Sequence, residues 1–201
     1  MNKKAVRYLL FFAVLLAGFY GALLYFTDFE KVKLPVINTV QPFRFIRQDS
    51  NEVTQVDVGH RVYLAEYFFT TCKGICPKMN KNMKSIYEQF KTDTSFLIIS
   101  HTVNPETDSV PVLKHYADSL GASSKNWWFV TGTKEALYKT ARESYLLDDP
   151  KNSSVNIEEQ FLHTQFFTLV DRQGRVRGIY DGIKKEEVNQ LLNDIKTLLA
   201  E

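Results

Sequence analysis

The chain has 201 residues, 44% of them hydrophobic and 13% aromatic, and a formal net charge of +2. This length suffices for one domain with a sizeable core but is short for two domains of ordinary size. Lys3, Lys4 and Arg7 precede the first apolar run, and the remaining charges are nearly balanced and interspersed. This pattern argues against a nucleic-acid partner, and two cysteines are too few for a disulfide scaffold.

The first predicted element is an uncharged apolar segment, residues 8–27. As a helix rising about 1.5 Å per residue, it spans the roughly 30 Å hydrocarbon core of a membrane. Positive residues precede it and Asp28 and Glu30 follow it, so the positive-inside rule places residues 1–7 in the cytoplasm. We interpret the segment as a single-pass anchor in a bacterial cytoplasmic (inner) membrane, with the globular domain on the periplasmic side. A cleaved signal peptide is the alternative, but the apolar run is long for one and no small-x-small cleavage pattern follows it.

Residues 28–41 mix charges with Pro35 and show no sustained period, which indicates a linker. We expect the folded domain to cover residues 42–201. Its start, FRFIRQDSNEVTQVDV, alternates apolar and polar residues around a turn-prone Asp-Ser-Asn, which predicts a two-stranded hairpin. VYLAEYFF, residues 62–69, is a nearly continuous β-prone run and predicts a buried central strand. Pro77 then suits the first turn of a helix.

The rest of the domain alternates predicted strands and helices. The predicted strands are FLIISHTV and WWFVTG, each followed by a helix, VPVLKHYADSLG and KEALYKTARESYLL respectively. A hairpin with its turn at residues 171–174 and an amphipathic C-terminal helix complete the chain. A central βαβ unit, a further βα unit and a closing ββα unit predict an α/β, thioredoxin-like fold. It carries an extra N-terminal β-hairpin and is preceded by the single transmembrane helix.

Cys72 and Cys76 lie at the predicted junction of the central strand and the next helix. This C-x3-C spacing places two soft thiolate ligands about one helical turn apart, so that both can bind one soft ion. A helix N-terminus also lowers thiol pKa, which favours either metal binding or attack on a disulfide. A small disulfide that only stiffens the loop is the structural alternative, although so short a loop gains little from closure. Met79 and Met83 recur at helical spacing with other apolar residues, which favours core packing over sulfur ligation.

The third ligand has to come from elsewhere in the chain. Two cysteines and an imidazole suit monovalent copper, and are compatible with divalent copper if a further donor enters. His163 follows a polar loop and precedes the hairpin expected beside the central strand, so it is the candidate ligand. A surface or hydrogen-bonded loop histidine is the alternative at this position. We interpret His101, at the end of a predicted strand, as structural, and expect His60 and His115 to face solvent.

Three segments together resemble the SCO/SenC family. They are FFTTCKGICPKM at residues 68–79, SHTVNPETD at residues 100–108 and LHT at residues 162–164. The resemblance extends over most of the domain. It implies a thioredoxin-like fold, a membrane anchor, and one copper ion per chain, Cu(I) or Cu(II) or both, bound by Cys72, Cys76 and His163. It also implies a role in assembling the binuclear copper centre of cytochrome c oxidase.

The sequence departs from the family pattern at two places. Lys73-Gly74 stands where family members often carry Pro-Asp, and Asn104 stands where they often carry Asp. The loss of two nearby carboxylates makes the site less negative, which is expected to weaken or retune the binding of divalent copper. The three ligand residues are intact.

Two functions from different classes are consistent with these residues. The first is a metallochaperone, not a turnover enzyme, that delivers copper to the oxidase subunit with the binuclear copper centre, or to another copper or thiol protein. The second is a membrane-anchored thiol–disulfide oxidoreductase, in which Cys72 attacks and Cys76 resolves. The spacing exceeds the redox C-x-x-C by one residue, and FLHT at residues 161–164 lacks the proline that thioredoxins place there. These two features favour the chaperone, and the peroxidase pattern Pro-x-x-x-Thr-x-x-Cys is absent from the cysteine segment.

Overall fold

A computed structural model describes residues 2–26 and 34–201 of the chain, with side chains described for 2–22 and 34–201. The chain divides into two compact units, Met1–Leu34 and Pro35–Glu201. The first contains helix α1, Lys3–Phe26. Its segment Lys3–Ala22 is long and apolar enough to cross a membrane, by length and composition alone. Thr27, at the end of the predicted anchor, and the first part of the predicted linker lie outside the described residues.

The second unit alternates strands and helices in the order expected from the sequence. Its elements are β1 (Asn38–Thr39), β2 (Arg44–Arg47), β3 (Glu52–Thr54), α2 (Gln55–Val58), β4 (Val62–Phe68), α3 (Cys76–Phe90), β5 (Phe96–Thr102), α4 (Val110–Leu120), β6 (Trp127–Thr131), α5 (Lys134–Lys139), β7 (Phe166–Val170), β8 (Arg175–Asp181) and α6 (Lys185–Ala200). A π-helical turn, Thr140–Ser144, follows α5 directly. Two 3-10 turns, Pro150–Ser154 and Ile157–Glu159, occupy the polar loop before β7.

The strands of the described domain form one mixed sheet in the order β1-β8-β7-β4-β5-β6-β2-β3. Strands β4, β5 and β6 are parallel, whereas β7 runs antiparallel to β4 and forms a hairpin with β8. The N-terminal hairpin β2-β3 joins the outer side of β6. This arrangement confirms the thioredoxin-like fold with an extra N-terminal hairpin. Because β4 and β5 are parallel, the loops that follow them meet at one edge of the sheet.

Helices cover both faces of the sheet. On one face, the Tyr67 hydroxyl donates to the carbonyl of Leu137 in α5 (2.8 Å). On the other, the ring of Tyr116 in α4 stacks on Phe68, with centroids 5.3 Å apart, and the side-chain amide of Asn80 in α3 donates to the Tyr116 hydroxyl. Every residue of β4 is buried, which is why its sequence reads as a nearly continuous apolar run.

Two segments differ locally from the sequence prediction. QVDV does not extend the hairpin but forms the short helix α2, because Thr54 and Asp57 make a capping box and Gly59 ends it with φ +62°. The segment predicted as one helix after β6 contains the π-helical turn and then Leu146, with φ +57°. In addition, β1 lies within the segment predicted as a linker and pairs with β8.

Candidate metal centre

The two cysteines lie in the loop between β4 and α3. After β4 ends, the N–H of Cys72 donates to the carbonyl of Phe69 (3.2 Å) and closes a turn. Cys76 begins α3, and Pro77 lies in the first turn of that helix. Cys72 is half-buried and Cys76 is buried, and both are free thiols. The structure therefore confirms the strand-to-helix junction at which the sequence placed the pair.

The two thiols interact with each other and with the start of α3. Burial raises the pKa of Cys72, but the Cys76 thiol and the N–H groups of residues 74–76 donate to its sulfur, and the net effect lowers this pKa. Burial raises the pKa of Cys76 to about 12, and the hydrogen bond to Cys72 adds to the increase. The pair thus favours a thiolate on the more exposed Cys72 and a thiol on Cys76.

His163 lies beside the cysteine loop. It is exposed, and its ring centroid is 4.5 Å from that of Phe161 and 6.5 Å from that of Phe69. The backbone of Phe69 also hydrogen-bonds to the sulfur of Cys76, which opposes the rise of the Cys76 pKa. Within residues 2–26 and 34–201, no group of three or more His, Cys, Asp and Glu side chains is arranged to hold a metal ion. The structure brings the two thiols together and places His163 against Phe69, not in a ready three-ligand cluster.

The residues on both sides of His163 are tied to the domain. Leu162 is buried, and its N–H donates to the Tyr138 hydroxyl (3.1 Å). The side-chain amide of Gln165 donates to Asp181 Oδ2 (2.6 Å). His163 therefore sits on a short exposed segment between two fixed points.

The other histidines and two of the methionines occupy the positions expected from the sequence. His101 is fully buried, and burial lowers its pKa to about 3, so that it stays neutral in the folded protein. His60 and His115 are exposed. Met79 and Met83 are buried in the core. These positions confirm the structural and solvent-facing interpretations.

Sequence reasoning assigned no role to two buried carboxyl groups near the cysteines. Glu66 in β4 accepts a hydrogen bond from the Ser100 hydroxyl (2.6 Å), and its Oε2 has no hydrogen-bond partner among the described residues. Asp108 follows β5 and accepts hydrogen bonds from Thr70 and Thr102. An acidic residue inside an apolar strand is a signal for the first. The second depends on contacts between distant segments, which no local pattern reveals.

Comparison with known proteins gives consistent matches. The family model of SCO1/SenC matches residues 33–200. The SCO1 protein homolog of Bacillus subtilis (strain 168) is 30% identical over 172 residues, 84% of this chain and 86% of the relative. The structure of BsSco, a member of the Sco family of cytochrome c oxidase assembly proteins with a disulfide switch, gives a TM-score of 0.70 at 29% identity, over 85% of this chain and 99% of that one. ScoI of Bradyrhizobium japonicum, solved with copper bound, shares the fold at a TM-score of 0.62 and 20% identity, over 80% of this chain and 99% of its own.

Proposed function

Because this chain belongs to the SCO1/SenC family, we propose that it binds one copper ion through Cys72, Cys76 and His163. We further propose that it delivers copper to, or prepares, the binuclear copper centre of cytochrome c oxidase. The observation that carries the proposal is the contact of two thiols at the start of α3, one of them with a lowered pKa. Its relative BsSco is a member of a family of cytochrome c oxidase assembly proteins, and ScoI, which shares the fold, was solved with copper bound.

The donor atoms of the site fit copper. Thiolate and imidazole are the ligands that Cu(I) prefers, and the Cys72 sulfur is both accessible and readily ionised. Bound copper would supply positive charge that favours the second thiolate, on Cys76. Binding by all three donors requires the exposed His163 imidazole to approach the two sulfurs. The short segment between Leu162 and Gln165 is the part of the chain that would carry it there.

The charges beside the pair favour monovalent copper. Lys73 and Gly74, both exposed, lie between the cysteines and offer no carboxylate oxygen. Hard oxygen ligands bind divalent ions better than they bind the soft ion Cu(I). We therefore propose Cu(I) as the main cargo, with Cu(II) bound more weakly.

The proposed location is a bacterial inner membrane. Helix α1 has the length and composition of a membrane span, and none of its apolar side chains described up to residue 22 is buried. Lys3, Lys4 and Arg7 at its start support a cytoplasmic N-terminus and an extracytoplasmic domain. This location would bring the site to the side of the membrane on which we expect its copper-protein partner.

The test compares copper binding by the parent chain and by His163→Ala. Each full-length protein is kept in detergent, its cysteines are reduced, and copper is then added. We expect one tightly held copper per chain and a thiolate-to-copper charge-transfer band in the Cu(II)-loaded parent. His163→Ala should lose the band and about tenfold or more in affinity, since even outer-shell partners of a ligand contribute roughly 10–100-fold. His115→Ala, which removes an exposed histidine of α4, is the matched control and should bind as the parent does. Equal affinity in parent and His163→Ala would remove His163 from the site.

The difference between the two thiols also favours a second candidate function, thiol–disulfide exchange. The Cys72 thiolate would attack a disulfide of a partner, forming a mixed disulfide and releasing one partner thiolate. Cys76 would then attack the Cys72 sulfur, which releases the second partner thiolate and leaves the Cys72–Cys76 disulfide. The lowered pKa and the exposure of Cys72 suit it to the first step.

Trapping experiments in cells distinguish this second function. Cys76→Ser leaves Cys72 able to attack but removes the resolving thiol, so a mixed disulfide with the partner should accumulate. Cys72→Ser is the matched control and should trap none. Equal amounts of covalent adduct in the two variants, or none in either, would exclude Cys72 as the attacking thiol.

A further inference from the structure

Asp108 is a fully buried carboxylate in the loop between β5 and α4. It has 0% of its surface exposed, and it forms no ion pair with any residue in the described part of the chain. Its oxygens accept from the Thr70 hydroxyl (2.5 Å), the Thr70 N–H (3.2 Å) and the Thr102 hydroxyl (2.6 Å). All of these donors are neutral. A single carboxylate with uncharged partners therefore joins the loop after β4, which contains Thr70, to the loop after β5, which contains Asp108.

The surroundings of Asp108 favour its role as a hydrogen-bond acceptor. The Thr102 hydroxyl accepts from the N–H of Asn104 (2.9 Å), so its own proton is free to point at Asp108. Asp108 also precedes α4 by two residues, and the partial positive charge of that helix N-terminus favours an anion there. Burying a carboxylate costs free energy unless its oxygens accept hydrogen bonds. The loop with Thr70 and the loop with Asp108 are therefore held in the arrangement in which the Thr70 and Thr102 donors reach Asp108.

The tether reaches the cysteines through Thr70. Thr70 is the second residue of the turn that the Cys72 N–H closes on the Phe69 carbonyl. The backbone of Phe69 in turn hydrogen-bonds to the sulfur of Cys76. Asp108 thus fixes the turn that presents one cysteine and contacts the other.

We propose that Asp108 is the positioning residue of the thiol pair: through Thr70 it holds the Phe69–Cys72 turn so that the sulfurs of Cys72 and Cys76 stay in contact. Asp108 thereby affects how readily the two cysteines form a disulfide and how tightly they bind a metal ion together. The second outcome rests on the proposed copper function. The first does not, because disulfide formation needs only the two thiols.

The disulfide arm uses oxidised and reduced glutathione with the full chain in detergent. In this exchange the protein thiols lose two electrons and two protons and form one S–S bond, while the glutathione disulfide breaks and takes them up as two thiols. The equilibrium constant reports the effective concentration of one thiol at the other. The equilibrium constant is measured under conditions in which circular dichroism shows that each variant is folded.

The variants are Asp108→Asn and Thr70→Val, with Thr70→Ser and Asp194→Asn as matched controls. Thr70→Ser keeps the hydroxyl donor. Asp194 is also buried and accepts from the Tyr180 hydroxyl (2.7 Å) and the Gln190 amide (2.9 Å), but it lies on α6. Asp194→Asn therefore shows the effect of changing a buried carboxyl group on the stability of the fold without altering the Phe69–Cys72 turn.

Asp108→Asn and Thr70→Val should each lower the disulfide equilibrium constant about tenfold, the factor that corresponds to one charge-assisted hydrogen bond. The two controls should stay within about twofold of the parent. The double variant should be no worse than either single variant, because both remove one shared interaction. If Asp108→Asn fails to fold, the Thr70→Val and Thr70→Ser pair decides the question alone. Parent-like disulfide equilibria in the variants that fold would overturn the proposal.

The copper arm separates this proposal from the proposed function. Copper retention against a chelator should fall about tenfold in Thr70→Val and not in Thr70→Ser, by the same hydrogen-bond argument. Equal retention in the two would overturn the metal half of the proposal. A parent that holds no copper would instead overturn the proposed function, and the glutathione result would still decide the role of Asp108.

Discussion

At the scale of single residues, Glu66 and His101 place titratable groups inside the sheet, on neighbouring strands β4 and β5. Both are fully buried. Burial raises the pKa of Glu66 to about 7, and the Ser100 hydroxyl opposes the increase. Burial lowers the pKa of His101 to about 3. Both side chains are therefore uncharged in the folded protein in mildly acidic solution, where the unfolded chain carries charge on both.

The Glu66 carboxyl makes stability depend on pH. Its pKa in the folded state, about 7, lies above the ordinary value of 4.5, so the folded chain binds this proton more tightly than the unfolded chain does. Its stabilising contribution is fully present below pH 4.5 and is lost as pH rises through about 7. Relative to the parent, the free energy of unfolding of Glu66→Gln should therefore rise by roughly 3 kcal/mol between about pH 4.5 and about pH 8.

Urea unfolding followed by circular dichroism at several pH values measures this difference. Glu135→Gln is the control, because Glu135 is exposed on α5 and its replacement should leave the pH profile unchanged. Profiles of parent and Glu66→Gln that run parallel over the whole range would contradict a protonated, buried Glu66.

The sequence identified some residues of the site and not others. The spacing of Cys72 and Cys76 was sufficient because their contact is local and follows from a strand-to-helix junction. His163 could be nominated by its position, but its distance from the thiols depends on a loop whose shape no local pattern determines. Asp108 lies in one of the three family-like segments, but its role could not be predicted because it depends on a contact with Thr70, 38 residues away in the chain.

At the scale of elements, Gly182 marks a close approach of chain segments at the end of β8. Its N–H donates to the carbonyl of Gln165 (2.7 Å), just before β7. A Cβ at residue 182 would lie 2.8 Å from that carbonyl oxygen and 2.6 Å from the Phe167 ring. Because the oxygen belongs to the backbone, no side-chain rotation relieves the contact. The glycine therefore fixes the place where the His163 loop returns to the sheet.

Gly182→Ala should separate these segments and destabilise the domain by roughly 1–3 kcal/mol, the usual cost of overpacking. Gly74→Ala is the matched control, since nothing lies within 4 Å of a Cβ added there. Its effect should stay within about 0.5 kcal/mol. Thermal unfolding of the full chain in detergent gives both values, and equal midpoints for the two variants would show that the contact at residue 182 relaxes freely.

Elements with strong periodicity were predictable, and those that depend on a few hydrogen bonds were not. The strand β4 was evident from its composition, and the helix predicted over VPVLKHYADSLG ends at its final glycine, Gly121, where φ is +70°. The helix α2 arises from the capping box of Thr54 and Asp57, which overrides an alternating pattern. The two residues of β1 form a strand only because β8 is beside them.

At the scale of the whole molecule, the order of strands determines which segments meet at the candidate site. Strand β4 lies between β5, its successor in the chain, and β7, which comes much later. The loop after β4 carries the cysteines, the loop after β5 carries Asp108, and the loop before β7 carries His163. The alternation of strands and helices predicted this order, and the parallel and antiparallel pairings confirm it.

The place of β7 next to β4 also bears on how the protein is made. The register pairs Tyr63 with Val170, so β4 can pair with β5 early but gains its antiparallel partner only when most of the chain has been made. At the usual synthesis rate of about 5–20 residues per second, roughly 5–20 s separate the appearance of Cys76 from that of β7. Throughout that interval the thiols are present without the loop that carries His163. The cysteines are thus made well before the histidine with which we propose that they bind copper.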